Sequence, residues 1–279
     1  MIPFDFIYCR PNTLQEAYEA FCGLAAEGKN PVYYAGGSEI ITMCRANSIR
    51  PGAVIDIKTI PECLCLYEIQ EGLSIGSACT LNQIKQSNFF PLLSLCCGRI
   101  ADHTNQCRIT LGGNLCGTIV YRETSLPFLL SDAEVKLFGK EGLRTVSFQN
   151  VFDGRMRPGA GELVVQLSVP RWALTAPHYH VKHTGSEKID YPLVSMAAMQ
   201  KDGKFRVAFS GVCARPFRCT TMETVLNDRT ISVEERAQKA AELIPEPVKD
   251  DAEGSREYSL FIFKNTVQTL LEEAEHAQV

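Results

Sequence analysis

Val32-Tyr33-Tyr34-Ala35-Gly36-Gly37-Ser38-Glu39-Ile40-Ile41 reads as a strand, a tight turn and the opening of a helix. Adjacent glycines give the main chain dihedrals closed to other residues and let a ligand come close to the backbone. The amides of Gly37, Ser38 and Glu39 would then be unpaired donors at a helix N-terminus, a favourable place for a phosphate or pyrophosphate. The same residues also suit a plain strand-to-helix turn, with Ser38 as N-cap and Glu39 in the first turn. A second stretch, Arg108-Ile109-Thr110-Leu111-Gly112-Gly113-Asn114-Leu115-Cys116-Gly117, repeats the β-branched approach, the glycine pair and the polar residue. Two such turns in one domain can hold two parts of a long anionic ligand. Neither is the dinucleotide or P-loop fingerprint, and Gly159-Ala160-Gly161 precedes a strand instead of a helix, so a bound nucleotide requires another fold.

Outward from these stretches the pattern alternates between helix and strand. Thr13-Leu14-Gln15-Glu16 has capping-box spacing, and apolar residues recur at helical intervals until Gly28. The strand at Pro31 to Ala35, a short helix through Ala46 and a strand at Ala53 to Ile57 make a β-α-β unit. A strand at Leu73 to Ala78 ends at Thr80-Leu81-Asn82-Gln83, again a helix start, and helical pattern runs from Pro91 through Ile100. Leu126 to Leu130 is a short helix; Ala133 to Phe138, Arg144 to Phe148 and Leu163 to Val169 alternate as strands. After Pro170, His178 to His183, Leu193 to Gln200 and Phe205 to Val212 form an antiparallel meander with a hairpin at Asp202-Gly203. Helices at Ser232 to Ile244 and Arg256 to Glu275 close the chain. The expected fold class is α+β, with a domain over 1–172 (subdomains about 1–58 and 59–172) and a C-terminal domain of meander and helices over 173–279.

The chain has 279 residues, 45% apolar and 22% charged, with a net charge of -4 and no Lys/Arg cluster, which argues against a nucleic-acid partner. There is no export signal and no run long enough for a membrane span, so the cytoplasm is expected. Twelve cysteines are scattered without C-x-x-C, and Cys63-Leu64-Cys65 and Cys96-Cys97 lack a second pair for an iron–sulfur cluster. Small buried hydrophobes in a reducing compartment explain most of them. Strand alternation puts His178 and His180 on one face and His183 on the other, against a metal site. No Ser/His/Asp or paired-carboxylate arrangement supplies an acid or base.

Tyr34-Ala35-Gly36-Gly37-Ser38-Glu39-Ile40 and Thr110-Leu111-Gly112-Gly113-Asn114-Leu115 resemble the two flavin-binding signatures of the FAD subunits of molybdenum hydroxylases, the family that includes xanthine dehydrogenase and carbon monoxide dehydrogenase. Asp132-Ala133-Glu134-Val135, Gly161-Glu162-Leu163, Pro170, Lys182 and the meander fall in family order. The nearest likeness is to the bacterial xanthine dehydrogenase FAD subunits of purine breakdown. The resemblance implies a PCMH-type FAD fold binding its cofactor non-covalently, His103 notwithstanding. By position, Val32, Tyr33, Tyr34, Ala35, Gly36, Gly37, Ser38, Glu39 and Ile40 would wrap the pyrophosphate. Ile100, Ala101, Asn105 and Ile109 would line the cofactor, and Thr110, Gly113, Asn114 and Cys116 would hold phosphate and ribityl oxygens. Glu123 stands where the family usually has Asp, an acceptor for a ribose hydroxyl. Tyr121 and Arg122 would lie near the ring or a subunit boundary, or pack at the surface. Val164 and Lys182 would flank the isoalloxazine; the other reading of Lys182 is a solvated side chain on an edge strand. The implied role is an electron-transfer subunit, receiving electrons from a [2Fe-2S] subunit and passing hydride to NAD, with substrate oxidised on a molybdopterin subunit of a heterotrimeric complex or its dimer. A stand-alone flavoprotein oxidoreductase, with Tyr121 or His180 as acid/base, and a flavin-free assembly protein are the alternatives.

Overall fold

The computed structural model describes residues 1–276 apart from Ser186, Lys188 and Ala252, so residues 277–279 of the expected C-terminal domain lie outside the described residues. Ile7–Cys9 (β1), Pro31–Tyr34 (β2) and Ala53–Asp56 (β3) form a parallel sheet in the order β1-β3-β2. Leu14–Ala26 (α1) joins β1 to β2 and buries Leu14 and Ala17 with Ile55. Its Thr13 hydroxyl accepts from the Glu16 amide, while the Glu16 carboxylate reaches the amide of Asn12 instead of the cap residue. Ser38–Arg45 (α2) leads from β2 to β3. Strand alternation sends Tyr33, Ala35, Ile55 and Ile57 to the α1 face, where they meet Leu163 and Val165 of the next sheet.

After Pro61–Leu64 (α3) comes a five-stranded antiparallel sheet in the order β4-β5-β8-β6-β7. Its strands are Leu66–Ile69 (β4), Gly72–Gly76 (β5), Glu134–Gly139 (β6), Gly142–Ser147 (β7) and Leu163–Pro170 (β8). Five helices lie between β5 and β6: Leu81–Ser87 (α4), Pro91–Gly98 (α5), His103–Gln106 (α6), Leu111–Cys116 (α7) and Ser125–Leu130 (α8). Thr80 and Gln83 close the full capping box of α4. The helix expected through Ile100 ends at Gly98, because the chain turns at Arg99 and Ala101 takes φ 53°. Gln106 pins that turn by donating to the carbonyls of Gly98, Ile100 and Ala101. Phe148–Val151 (α9) follows β7 and Arg171–Thr175 (α10) follows β8.

The meander is four strands: His178–Thr184 (β9), Pro192–Lys201 (β10), Lys204–Ser210 (β11) and the short Phe217–Arg218 (β12), in the order β12-β11-β10-β9. Asp202 and Gly203 both have positive φ, 52° and 73°, the type I′ geometry that suits a two-residue hairpin. Val194, Met196 and Ala198 of β10 face a core closed by Thr220–Leu226 (α11), Val233–Glu242 (α12) and Arg256–His276 (α13), while Ala197 and Met199 join the large core of the preceding sheet. A strand buried on both faces reads as a nearly continuous apolar run, and Leu193 to Met199 is one. Buried α8 packs against β10, β11 and β12, and Asp132, just beyond it, accepts from Lys201 and Arg206. All twelve cysteines are unpaired, and Cys44, Cys63, Cys79, Cys96, Cys97 and Cys213 are buried.

Phe128 of α8 packs against the rings of Phe90 and Phe148, with centroids 6.5 and 5.6 Å away. Phe128→Ala is expected to lower the unfolding free energy of the full chain by about 3–5 kcal/mol. Urea denaturation followed by circular dichroism measures it; a loss below ~1 kcal/mol would show that this contact does not hold the layers together.

Candidate functional site

The residue capping α2 is Gly37, at φ 71° in the left-handed region, and not Ser38, which is already inside the helix; no side chain caps this end. The first intrahelical bond runs from the Ile41 amide to the Gly37 carbonyl. Among the described residues no protein acceptor pairs with the amides of Ser38, Glu39 and Ile40, so the α2 N-terminus keeps three donors free. Gly36 brings this turn against the second glycine stretch: a Cβ there would overlap the carbonyl oxygen of Arg108, and at Gly37 it would overlap the ring of Tyr34. The Glu39 carboxylate crosses the gap to accept from the amides of Thr118 and Ile119 at 2.7 and 3.1 Å, so it fastens the two segments together.

The second stretch is built differently from the first. Thr110 caps α7, and the glycine pair lies inside the helix instead of before it. The amides of Leu111, Gly112, Gly113 and Asn114 already donate to Cys79 O, Ser77 O, Thr110 Oγ1 and Thr110 O. The stretch therefore offers side chains, not free amides. Asn114 Oδ1 accepts from Thr124 Oγ1 at 2.6 Å, which ties α7 to the loop carrying Arg122 and Glu123.

That loop meets the C-terminal sheet at a buried ion pair. Lys182 Nζ lies 3.0 Å from Glu123 Oε2, both side chains only 5% exposed, and donates at 2.9 Å to Arg99 O. The solvated-lysine reading fails: β9 is an edge strand, but this side chain points into protein. Glu123 Oε1 is buried without a partner. Burial raises the Glu123 pKa, opposed by the Lys182 charge and by hydrogen bonds from Lys182 and Ser195. Arg99 Nη1 contacts His180 Nδ1 at 3.2 Å. A guanidinium only donates, so Nδ1 carries the lone pair and Nε2 the proton, facing Ser195 Oγ at 3.4 Å. Burial, then the charges of Arg99 and Lys182, pull the His180 pKa down to about 3.

Other expected site residues are committed to the scaffold. The Arg122 guanidinium is spent on the carbonyls of Gly117 and Gly154, a packing role. Ile100, Ala101, Ile109 and Cys116 turn their side chains to the large core. Asn105 bonds to Asp102, the cap of α6. Val164 is buried in the large core and pairs opposite Leu137. Tyr33 stacks on Phe21 and donates to Gly161 O, and Val32 continues β2. A cavity of about 500 Å³ shares Tyr34 and Ile40 with the first turn and is closed by Tyr8, Ile41, Asp56 and Lys58. Tyr121 stacks on Tyr191 and accepts from Lys249. Arg99 and Ser195 were not foreseen; the one signal was a serine inside the apolar run of β10.

The sequence profile described as "FAD binding domain in molybdopterin dehydrogenase" matches residues 3–172. The chain belongs to that family. It is 24% identical over 278 residues to caffeine dehydrogenase subunit beta of Pseudomonas sp. (strain CBB1), covering 86% of this chain and 92% of that one. It is 28% identical over 179 residues to the carbon monoxide dehydrogenase medium chain of Hydrogenophaga pseudoflava, covering 62% and 61%. Among solved structures, carbon monoxide dehydrogenase from Hydrogenophaga pseudoflava lacking the Mo-pyranopterin moiety of its cofactor matches at a TM-score of 0.85 and 25% identity, over 96% of each chain. Quinoline 2-oxidoreductase from Pseudomonas putida 86 shares the fold, with a TM-score of 0.82, 24% identity and 98% of each chain covered. The α+β architecture is thus the PCMH-type fold expected from the sequence, and the chain is a flavoprotein oxidoreductase subunit of the molybdenum hydroxylase family.

The residues present fit FAD. Three free amides at a helix N-terminus suit a pyrophosphate, and an orphaned buried carboxylate oxygen beside an ammonium suits a polar cofactor edge. Neutral His180 gives the family fold here a pH signature. The unfolded chain protonates a histidine near pH 6.5, whereas the folded one stays neutral to about 3, so stability falls as pH drops through that window. Glu123, with its raised pKa, contributes with the opposite sign, so the comparison must be between wild type and His180→Gln. Between pH 7 and pH 5 the wild type should lose about 2 kcal/mol more than the variant. Equal losses by urea titration would show that His180 is not held neutral.

Proposed function

We propose that this chain is the FAD subunit of a cytoplasmic xanthine dehydrogenase-type complex, accepting electrons from a [2Fe-2S] subunit and delivering hydride to NAD. The observation that carries the reading is the uncapped N-terminus of α2, pressed by Gly36 against the Arg108–Thr110 backbone. In this reading the amides of Ser38, Glu39 and Ile40 bind the pyrophosphate. Asn114 and Thr110 orient the ribityl chain, and Lys182 with Glu123 lies at the polar edge of the ring. Bound FAD supplies the exchange between single-electron and hydride transfer. The protein binds, orients and excludes water from that centre, without a protonating side chain of its own: both nitrogens of His180 are engaged by Arg99 and Ser195.

Membership of a complex is supported by the relatives, which are named as subunits or medium chains. A molybdopterin subunit and an iron–sulfur subunit would complete the heterotrimer or its dimer. A purine substrate is supported by the family resemblance and by the caffeine dehydrogenase relative, caffeine being a methylated xanthine. Unpaired cysteines throughout suit a reducing compartment.

Purification of the native complex tests the partners: iron–sulfur and molybdenum chains should co-purify, and xanthine should reduce NAD. Turnover without those chains would favour a stand-alone oxidoreductase, and absence of a flavin spectrum would leave only the flavin-free alternative. Gly37→Val places a β-branched residue at φ 71° and pushes into Tyr34, displacing the amides behind it. Flavin absorbance at 450 nm per chain should fall at least ~10-fold, the factor that ~1.4 kcal/mol of lost binding produces. Circular dichroism should remain that of a folded chain. Full flavin content in this variant would refute the clamp.

A further inference from the structure

The Lys182–Glu123 pair is hard to explain as a stabilising device. Two ionised groups taken out of water recover their desolvation only when every remaining donor and acceptor is satisfied, and a well-packed apolar pair often does as well. Here satisfaction is incomplete on both sides. Glu123 leaves Oε1 without a partner. Lys182 has three donors and spends two, on Glu123 Oε2 and Arg99 O. Among the described residues, one ammonium hydrogen and one carboxylate oxygen are thus left for whatever completes the site.

The ammonium is held from two sides, by Glu123 Oε2 and by Arg99 O. Arg99 donates to His180 Nδ1 and to His180 O, the imidazole proton faces Ser195, and the Ser195 hydroxyl supports charged Glu123. Glu123 Oε2 is held by Lys182 of β9, while the Glu123 backbone belongs to the loop before α8. The lysine, at the end of a flexible stem, is positioned by what it pairs with.

We propose that Glu123 is a positioning residue that anchors Lys182 and neutralises most of its charge, so that the flavin ring meets a compensated ion pair instead of a free cation. The inference rests on the reading that Lys182 borders the ring. Its consequence is a redox setting: a free cation beside the ring favours the anionic reduced cofactor, and Glu123 restrains that effect.

The test is an anaerobic titration of the full-length, FAD-loaded chain with dithionite in the presence of a reference dye. Two electrons from dithionite and one proton convert FAD to anionic FADH−. Glu123→Gln should shift the equilibrium toward the reduced form at least ~10-fold, equivalent to ~30 mV for a two-electron couple. Lys182→Met should shift it the other way. In the Lys182→Met background, Glu123→Gln should move it by less than ~3-fold, ~14 mV on the same scale, because burial without the lysine drives the Glu123 carboxyl to its neutral form, which Gln copies. An unchanged potential in flavin-loaded Glu123→Gln, or the same shift with and without Lys182, overturns the proposal. Should Glu123→Gln lose flavin, Glu123→Asp, which keeps the compensating charge, should hold flavin and stay within ~3-fold of the wild-type equilibrium, and a ~10-fold shift there overturns the proposal; loss of flavin in both also overturns it, since Glu123 would then be a direct ligand. Failure of the underlying reading looks different: the wild type would not hold FAD, or Lys182→Met alone would leave the potential unmoved.

Discussion

The architecture depends on one close approach of backbone to backbone. At Gly36 the turn after β2 touches the Arg108–Thr110 segment so closely that even a methyl group would collide with a carbonyl oxygen. No side chain separates the N-terminal β-α-β unit from the helices above the five-stranded sheet at this point. The Glu39 carboxylate then spans to Thr118 and Ile119, fixing α2 in direction as well as position. The consequence is a helix end aimed at the junction of two subdomains with its first amides unspent. Donors fixed in this way are the arrangement that favours an anion.

The fold was legible where local chemistry and tertiary packing agree. The Thr80 capping box, the Asp202-Gly203 hairpin and the doubly buried run of β10 carry their structure in their spacing. β1 and β4 were not foreseen because each is short, partly exposed and dependent on neighbours, so neither has a strong alternation of its own. The two glycine stretches look alike in sequence but diverge in structure. Thr110 caps its helix before the glycines, and the donors are consumed at once, whereas Gly37 is itself the cap and leaves them free. A threonine before the glycine pair closes its helix end, and a glycine in the cap position leaves it open.

The sequence pointed to the close glycine turn and to Lys182, but not to what surrounds the lysine. Arg99, His180 and Ser195 lie on three different elements or turns, and no spacing rule links residues 81 and 15 positions apart. Val164 and Arg122 had the reverse problem: position suggested the cofactor, but packing and carbonyl bonding claim their side chains. Sequence order identifies which strand or loop contributes to a site, while the outward or inward aim of each side chain is decided by the layers it separates.

The neutrality of His180 follows from the same geometry. With Arg99 and Lys182 close by, a protonated imidazole would add a third cation around one carboxylate, and its Nδ1 could no longer accept from the guanidinium. Only the neutral ring with its proton on Nε2 lets one bond direction run from Arg99 through His180 to Ser195. A histidine in such a place is a fixed connector and not a titrating switch. The charges left around the Glu123 carboxylate are therefore those of Lys182 and Arg99, and His180 adds none.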